Sequence, residues 1–412
     1  MTMKWGVVPV AAAAVLHGAA FAAGVGDRPD LSFDGFGTLS VVHSSEQRAD
    51  FVSNSLVAKG AGYSNAWSAD VDSRLGLQAT ARLTPRVSGI VQLIAEQRYD
   101  NTYSPTVEWA NITANVTPDF NVRAGRMVLP VFMSSEYRKV GYANPWVRPP
   151  PEVYLLVPVT NFDGVEASYR SHFDGFTNTL RGTYGSKNSR IPGGGEAKAR
   201  DGVTFVDTVE WGASTFFAQY SNFRLTIDGY TSLFDGFKQF GPEGRAIAKR
   251  YDVDNTRFEV AGFGMRYDPG DWFVMGEWAR LATHSYVGRS HGWYLTGGYR
   301  LGSITPYVTL ARVGVDSRTS ASGLNLAGLP PSRAAAATGL NTGLNQILAS
   351  AAAQSSISVG ARWDFARNLD LKIQFDHLDL GAGSRGVLTN LQPGFRTGGS
   401  ASLFSIALDF VF

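Results

Sequence analysis

Apolar and polar residues take turns one by one along most of this chain, and few folds accept that pattern. Between Ala69 and Leu83 the odd positions read Ala69, Val71, Ser73, Leu75, Leu77, Ala79, Ala81 and Leu83. The even positions read Asp70, Asp72, Arg74, Gly76, Gln78, Thr80 and Arg82. Successive side chains of a β-strand point to opposite faces, so this is a strand held between two different solvents. The same period recurs in Gly292–Leu301, in Ile357–Phe365 and in Phe404–Phe412. Strands of soluble sandwiches usually run about 5–6 residues. Many segments here reach about ten, the length a tilted strand needs to cross a membrane.

Sixteen such segments begin near residues 31, 67, 86, 107, 120, 162, 176, 203, 213, 257, 272, 292, 305, 356, 369 and 401. Short connections alternate with longer ones between them. In hydrocarbon every backbone donor and acceptor needs a partner, so an open sheet edge is not tolerated and the first strand must pair with the last. The expected fold is an all-β, transmembrane, antiparallel barrel of about sixteen strands, wide enough to leave an aqueous lumen. Trp109, Tyr169, Trp211, Trp278 and Tyr299 suit its aromatic girdles or ordinary packing. Ahead of the barrel, Lys4, the apolar run Val7–Leu16 and Ala20-Phe21-Ala22 have the layout of a cleaved secretory signal. The expected division is residues 1–22 as signal peptide and 23–412 as barrel.

Composition excludes several chemistries. With no Cys among 412 residues there is no disulfide scaffold, thiolate metal site or thiol nucleophile. A net charge of +2 gives no bulk field for nucleic acid. The six His form no HxxxH pair, and neither a Gly-x-Ser-x-Gly elbow nor a phosphate-binding Gly-Lys-Ser/Thr loop is present. No cofactor, no metal and no enzymatic activity are expected.

The last strand, Ser405-Ile406-Ala407-Leu408-Asp409-Phe410-Val411-Phe412, resembles the C-terminal signature of Gram-negative outer-membrane porins. The resemblance extends in layout over the mature chain. It implies that Phe410 and Phe412 form an assembly signal read by the barrel-assembly machinery, that the protein is a homotrimer, and that it lies in the outer membrane against lipid and lipopolysaccharide. It also implies that the third long connection folds inward and narrows the lumen.

That connection, Met127 to Asn161, supplies the candidate site. From Arg123 to Thr160 there are five basic residues, Arg123, Arg126, Arg138, Lys139 and Arg148, against Glu136 and Glu152, a local balance of +3. A cluster of Arg and Lys at a constriction favours anions. The expected constriction is Arg123, Arg126, Glu136, Arg138, Lys139 and Arg148, with the cluster Asn144–Pro151 stiffening the loop. Asp70, Asp72, Arg74, Arg82, Glu96 and Arg98 are the expected pore-wall charges. A second reading pairs these arginines with loop acids or carbonyls, so that they hold the loop in place.

Residues 228–250 fit an amphipathic loop helix over the pore mouth or a solvated loop. Residues 319–355 fit a lid, a subunit contact or filler, with a short helix near 341–353. The reading that follows is a porin passing small hydrophilic solutes and ions, biased to anions. A gated or substrate-specific uptake channel, an adhesin and a barrel enzyme are its alternatives.

Overall fold

The computed structural model describes residues 30–412; the expected signal peptide lies outside them. Sixteen long strands follow one another: β1 (Asp30–Ser44), β2 (Arg74–Thr84), β3 (Val87–Glu96), β4 (Thr106–Asn115), β5 (Phe120–Val128), β6 (Asn161–Phe173), β7 (Phe176–Arg190) and β8 (Glu196–Trp211). The second half comprises β9 (Ser214–Ile227), β10 (Thr256–Tyr267), β11 (Trp272–Thr283), β12 (Arg289–Tyr299), β13 (Ile304–Val315), β14 (Gln354–Ala366), β15 (Leu369–Leu380) and β16 (Ser400–Val411). Each pairs antiparallel with its neighbours. β1 pairs with β2 through Asp30↔Arg82 to Thr38↔Arg74 and with β16 through Phe36↔Val411 to Ser44↔Leu403, which closes the barrel.

The alternation sorts as the two solvents require. On β12, Trp293, Leu295 and Tyr299 are exposed on the outside, while Tyr294 and Thr296 between them are buried inside. Tight turns join the strands at one end. Gly175, Gly212, Gly270 and Gly302 occupy four of them with φ of 87°, 57°, 117° and 63°, a backbone region that side-chain-bearing residues avoid.

Two strand boundaries differ from expectation. The second strand starts at Arg74, not near Trp67; Trp67–Ser68 makes only a two-residue pairing with Val42–His43. Asp is poorly suited to strands. Here the Asp70 amide turns back to Ser68 Oγ at 3.2 Å and the Asp72 carboxylate is taken by Arg148. Second, the expected long connection between residues 185 and 202 is mostly strand. β7 and β8 run on to Arg190 and from Glu196, with register shifts at Gly185/Lys187 and Arg200/Val203. Its Ser, Lys, Asn and Arg read as loop because this hairpin has no apolar face to mark the period.

Four helices lie in the connections: α1 (Pro151–Tyr154), α2 (Thr231–Lys238), α3 (Gly241–Tyr251) and α4 (Pro331–Leu348). α4 begins ten residues before the expected helix and ends at Leu348. Phe234 and Phe237 of α2, Ala248 of α3 and Ala337, Leu344 and Ile347 of α4 share one buried cluster, so the fifth and seventh connections pack on each other. A larger apolar cluster joins Val131, Phe132, Trp146, Val153, Tyr154 and Val157 of the third connection to inward residues of β10–β13, among them Phe258, Val260, Met275, Tyr294 and Tyr307.

Candidate functional site

The third connection, residues 129–160, meets inward-facing side chains around most of the barrel. Lys139 Nζ lies 2.6 Å from Glu96 Oε1 on β3 and 2.9 Å from Glu108 Oε2 on β4. Burial opposes its charge, yet Glu108 and Glu96 together hold the ammonium above its ordinary range. Glu136 is 2.5 Å from Arg181 on β7. On the opposite side Glu277 of β11 accepts the Met133 N–H at 2.8 Å and the Tyr154 hydroxyl at 3.1 Å. The Trp146 indole N–H donates to Thr296 of β12 at 2.9 Å and Thr309 of β13 at 3.1 Å.

Arg148 is the most enclosed cation of the segment. Its Nη2 is 2.7 Å from Asp72 and 2.6 Å from Ser405 Oγ on β16, and its Nη1 is 3.0 Å from Asp376 on β15. The guanidinium also sits 5.2 Å from the Phe51 ring centroid. Removing a planar, five-donor cation from water is tolerable only when its donors are met in this way. Among the described residues Glu152 on α1 has no cation in salt-bridge range. Its Oε1 accepts from Gln354 at 2.7 Å and Ser356 at 2.6 Å, while its Oε2 is buried without a partner. Burial pushes its carboxyl above the usual range, against the pull of those two donors.

Arg138 differs from its neighbours. Among the described residues it has no carboxylate in salt-bridge range, and its guanidinium lies 5.4 Å from the Tyr154 ring centroid and 5.9 Å from that of Phe132. It lines a cleft with Asp70, Arg74, Glu96, Lys139 and Arg148, four cations to two carboxylates.

The structure therefore divides the residues named from sequence. Arg123 faces inward and pairs with Glu166 at 2.6 Å. Arg126 does not belong with it. Arg126 opposes Asp163 across β5 and β6, on the same face as the exposed Val165 and Tyr169, and binds that carboxylate at 2.7 and 2.9 Å on the outside of the barrel. Two residues three apart on a strand point opposite ways; grouping Arg126 with Arg123 ignored that parity. Asp70 and Asp72 lie on the first connection, not on a wall strand, with Asp70 accepting from Tyr103 at 2.5 Å. Arg74 opens β2, 3.8 Å from Glu96. Arg82 is exposed towards the turn end of β2, and Arg98 lies beyond the end of β3, against the Tyr99 ring at 5.6 Å. Phe410 and Phe412 face outward and stack, with centroids 6.2 Å apart.

Sequence reasoning missed Glu108, Arg181, Glu277 and Asp376, the wall partners of the loop, and Glu166, the partner of Arg123 on the neighbouring strand. Their signal was a charged or acidic residue on the inward parity of a strand. It also missed one constellation: His377 Nδ1 lies 3.1 Å from Ser402 Oγ and its Nε2 3.4 Å from Asp379, on the outer face of β15 and β16. The Ser402 N–H donates to Ser45 Oγ at 2.9 Å and so is not free to serve an oxyanion.

No protein-family model matches the chain, and no curated protein does. Solved structures do match. Salmonella typhi OmpF superposes with a TM-score of 0.56 at 13% identity, covering 94% of this chain and 98% of that one. The outer-membrane channel DcaP of Acinetobacter baumannii gives 0.56 at 11% identity, covering 93% and 98%. The anion-selective porin of Comamonas acidovorans gives 0.52 at 12%, covering 93% and 100%. The fold is that of the sixteen-stranded bacterial outer-membrane porins.

Proposed function

We propose that this protein is an outer-membrane porin, a non-enzymatic, homotrimeric, water-filled channel for small hydrophilic solutes, and that it favours anions. A closed barrel with an apolar outside and a polar inside supports the channel reading. The third connection is read as the constriction, since its bonds run to inward residues from β3 round to β16. One observation supports anion preference. Among the described residues the other loop cations, Lys139 and Arg148, lie in salt-bridge range of carboxylates, whereas Arg138 is in range of none, lies over two aromatic rings and fronts a cleft with a surplus of basic residues. In a narrow, low-dielectric passage such an unmatched charge acts strongly on a passing ion.

The test is the reversal potential of refolded protein in a planar bilayer under a salt gradient. Wild type should show an anion-selective sign. Arg138→Glu should move the potential towards cations, and Arg126→Glu, outside the barrel, should not move it. A cation-selective wild type contradicts the preference and leaves the channel reading standing. A refolded barrel that never conducts contradicts the channel.

A further inference from the structure

A second connection enters the barrel beside the third. Phe51, in the first connection between β1 and β2, is 1% exposed. It packs with Val71, with Leu378 and Leu403 on the inward faces of β15 and β16, and with Leu155 of the third connection. Its ring also lies against the Arg148 guanidinium. The eighth connection, between β15 and β16, secures this segment. Asp50 and Thr389 exchange backbone hydrogen bonds of 2.8 Å, and the Asp50 carboxylate accepts from Asn390 at 2.7 Å and from the Ser64 N–H at 2.8 Å. Between the first and third connections lies the cleft that Arg138 lines. The first connection gives that cleft an apolar wall, Val52, Val57 and Val71, and Pro149 of the third connection extends it.

The charges around the cleft are unequally provided for. Lys139 is held by Glu96 and Glu108, and Arg148 by Asp72 and Asp376. Arg74 donates from Nε to the Asp72 carbonyl at 3.3 Å and stands 3.8 Å from Glu96. Asp70 already accepts from the Tyr103 hydroxyl. Arg138 is half-buried, and among the described residues its N–H donors meet no acceptor. The rings of Phe132 and Tyr154 beside it attract a cation, but they offer no pair of lone pairs to a guanidinium fork. Donors withdrawn from water and left unmet are costly. The group that meets such a fork with two parallel bonds is a carboxylate.

We propose that the first and third connections together bind a small monocarboxylate with an apolar body. Arg138 takes the carboxylate, and Val57, Val71 and Pro149 take the hydrocarbon. One unmatched guanidinium calls for one negative charge. An inorganic anion would use Arg138 alone. A neutral sugar would leave the fork without its charged partner and set hydroxyls against the valines, where they find no hydrogen bond. The inference rests on the porin reading and names the solute class that such a channel would select.

The test titrates the whole refolded protein in detergent with acetate, propionate, butyrate, pentanoate and butyramide by calorimetry, and records single-channel current on the same preparation. Affinity should rise about fourfold with each added methylene, the gain from burying one. Butyramide should bind about tenfold more weakly than butyrate or worse, since the charge-assisted bonds go unmade. Arg138→Gln should remove the difference between butyrate and butyramide. Val57→Ser should flatten the chain-length series and leave acetate binding as it is, which also shows that the variant is folded. Arg126→Gln, outside the barrel, should change neither. A wild-type series that is flat with chain length assigns the cleft to anions at large and overturns the proposal, as does equal binding of butyrate and butyramide; neither result depends on a variant. A steep series that Val57→Ser leaves untouched removes the first connection from the site and overturns it too. A wild type that conducts but binds none of the acids overturns the site alone; one that binds them in the expected order but never conducts overturns the porin reading alone.

Discussion

The ring of Phe412 covers Gly35: the two residues exchange backbone hydrogen bonds of 2.8 and 2.9 Å where the last strand meets the first, and a Cβ on Gly35 would come within 2.2 Å of the ring's Cζ. Phe410 stands in the same relation to Gly37. Two glycines on β1 thus leave the space that two phenylalanines of β16 fill, an aromatic-on-glycine device that fixes register at the seam.

Gly35→Val should therefore obstruct closure. Overpacking of this kind costs about 1–3 kcal/mol, and Phe412→Ala in the same chain should relieve part of it. The measurement is the fraction of heat-modifiable, folded barrel in detergent for both single variants and the double variant. Additive effects would mean that the ring and the glycine do not interact. Phe412→Asp should lower folded protein in outer-membrane fractions outright.

Arg148→Met should be among the most destabilising single changes in the third connection. It leaves Asp72 and Asp376 buried without their cation, and breaking a buried pair costs about 3–5 kcal/mol. Arg138→Gln, which abandons no carboxylate, should cost far less. Thermal unfolding followed by circular dichroism ranks the two.

Glu152→Gln should stabilise the protein, and increasingly so as pH rises. A carboxyl held above its unfolded value of about 4.3 favours folding in its protonated form. That contribution is full below the unfolded value and is lost as pH climbs through the folded one. The amide keeps an acceptor for Gln354 or Ser356 and carries no charge. A stability difference between variant and wild type that is flat from mildly acidic to neutral pH would contradict this account.

If Arg138 sets an anion preference as proposed, high salt should erode it. The Debye length falls to about 3 Å at 1 M, so the reversal potential per decade of gradient should approach zero between dilute and molar salt. A potential independent of ionic strength would point to steric sorting instead.

How much of this was legible beforehand depends on which force writes into the sequence. Lipid against water writes every second residue, so the strands and the count of sixteen were readable from Leu75, Leu77, Trp293 and their like. Residues 185–202 were not, because that hairpin has the same solvent on both faces. Arg126 was misassigned since its strand is short and Gly125 and Ala124 beside it mark neither face. The partners of the third connection were out of reach for another reason: Arg148 meets Asp376 and Ser405 more than two hundred residues away, and no local pattern encodes such a meeting.

The apolar packing of Trp146, Val153 and Tyr154 against β10–β13 splits the inner surface into two kinds of sequence space. On that side a substitution must satisfy an interior, where each lost methylene is felt as a cavity. On the walls of β2–β8 the loop is held by ion pairs instead, Lys139 with Glu96 and Glu108 and Glu136 with Arg181, so an exchange there alters the field and keeps the loop seated only when both partners change together. On the porin reading, a lineage of such barrels changes what it admits by paired exchanges along one arc of its circumference while the other stays fixed.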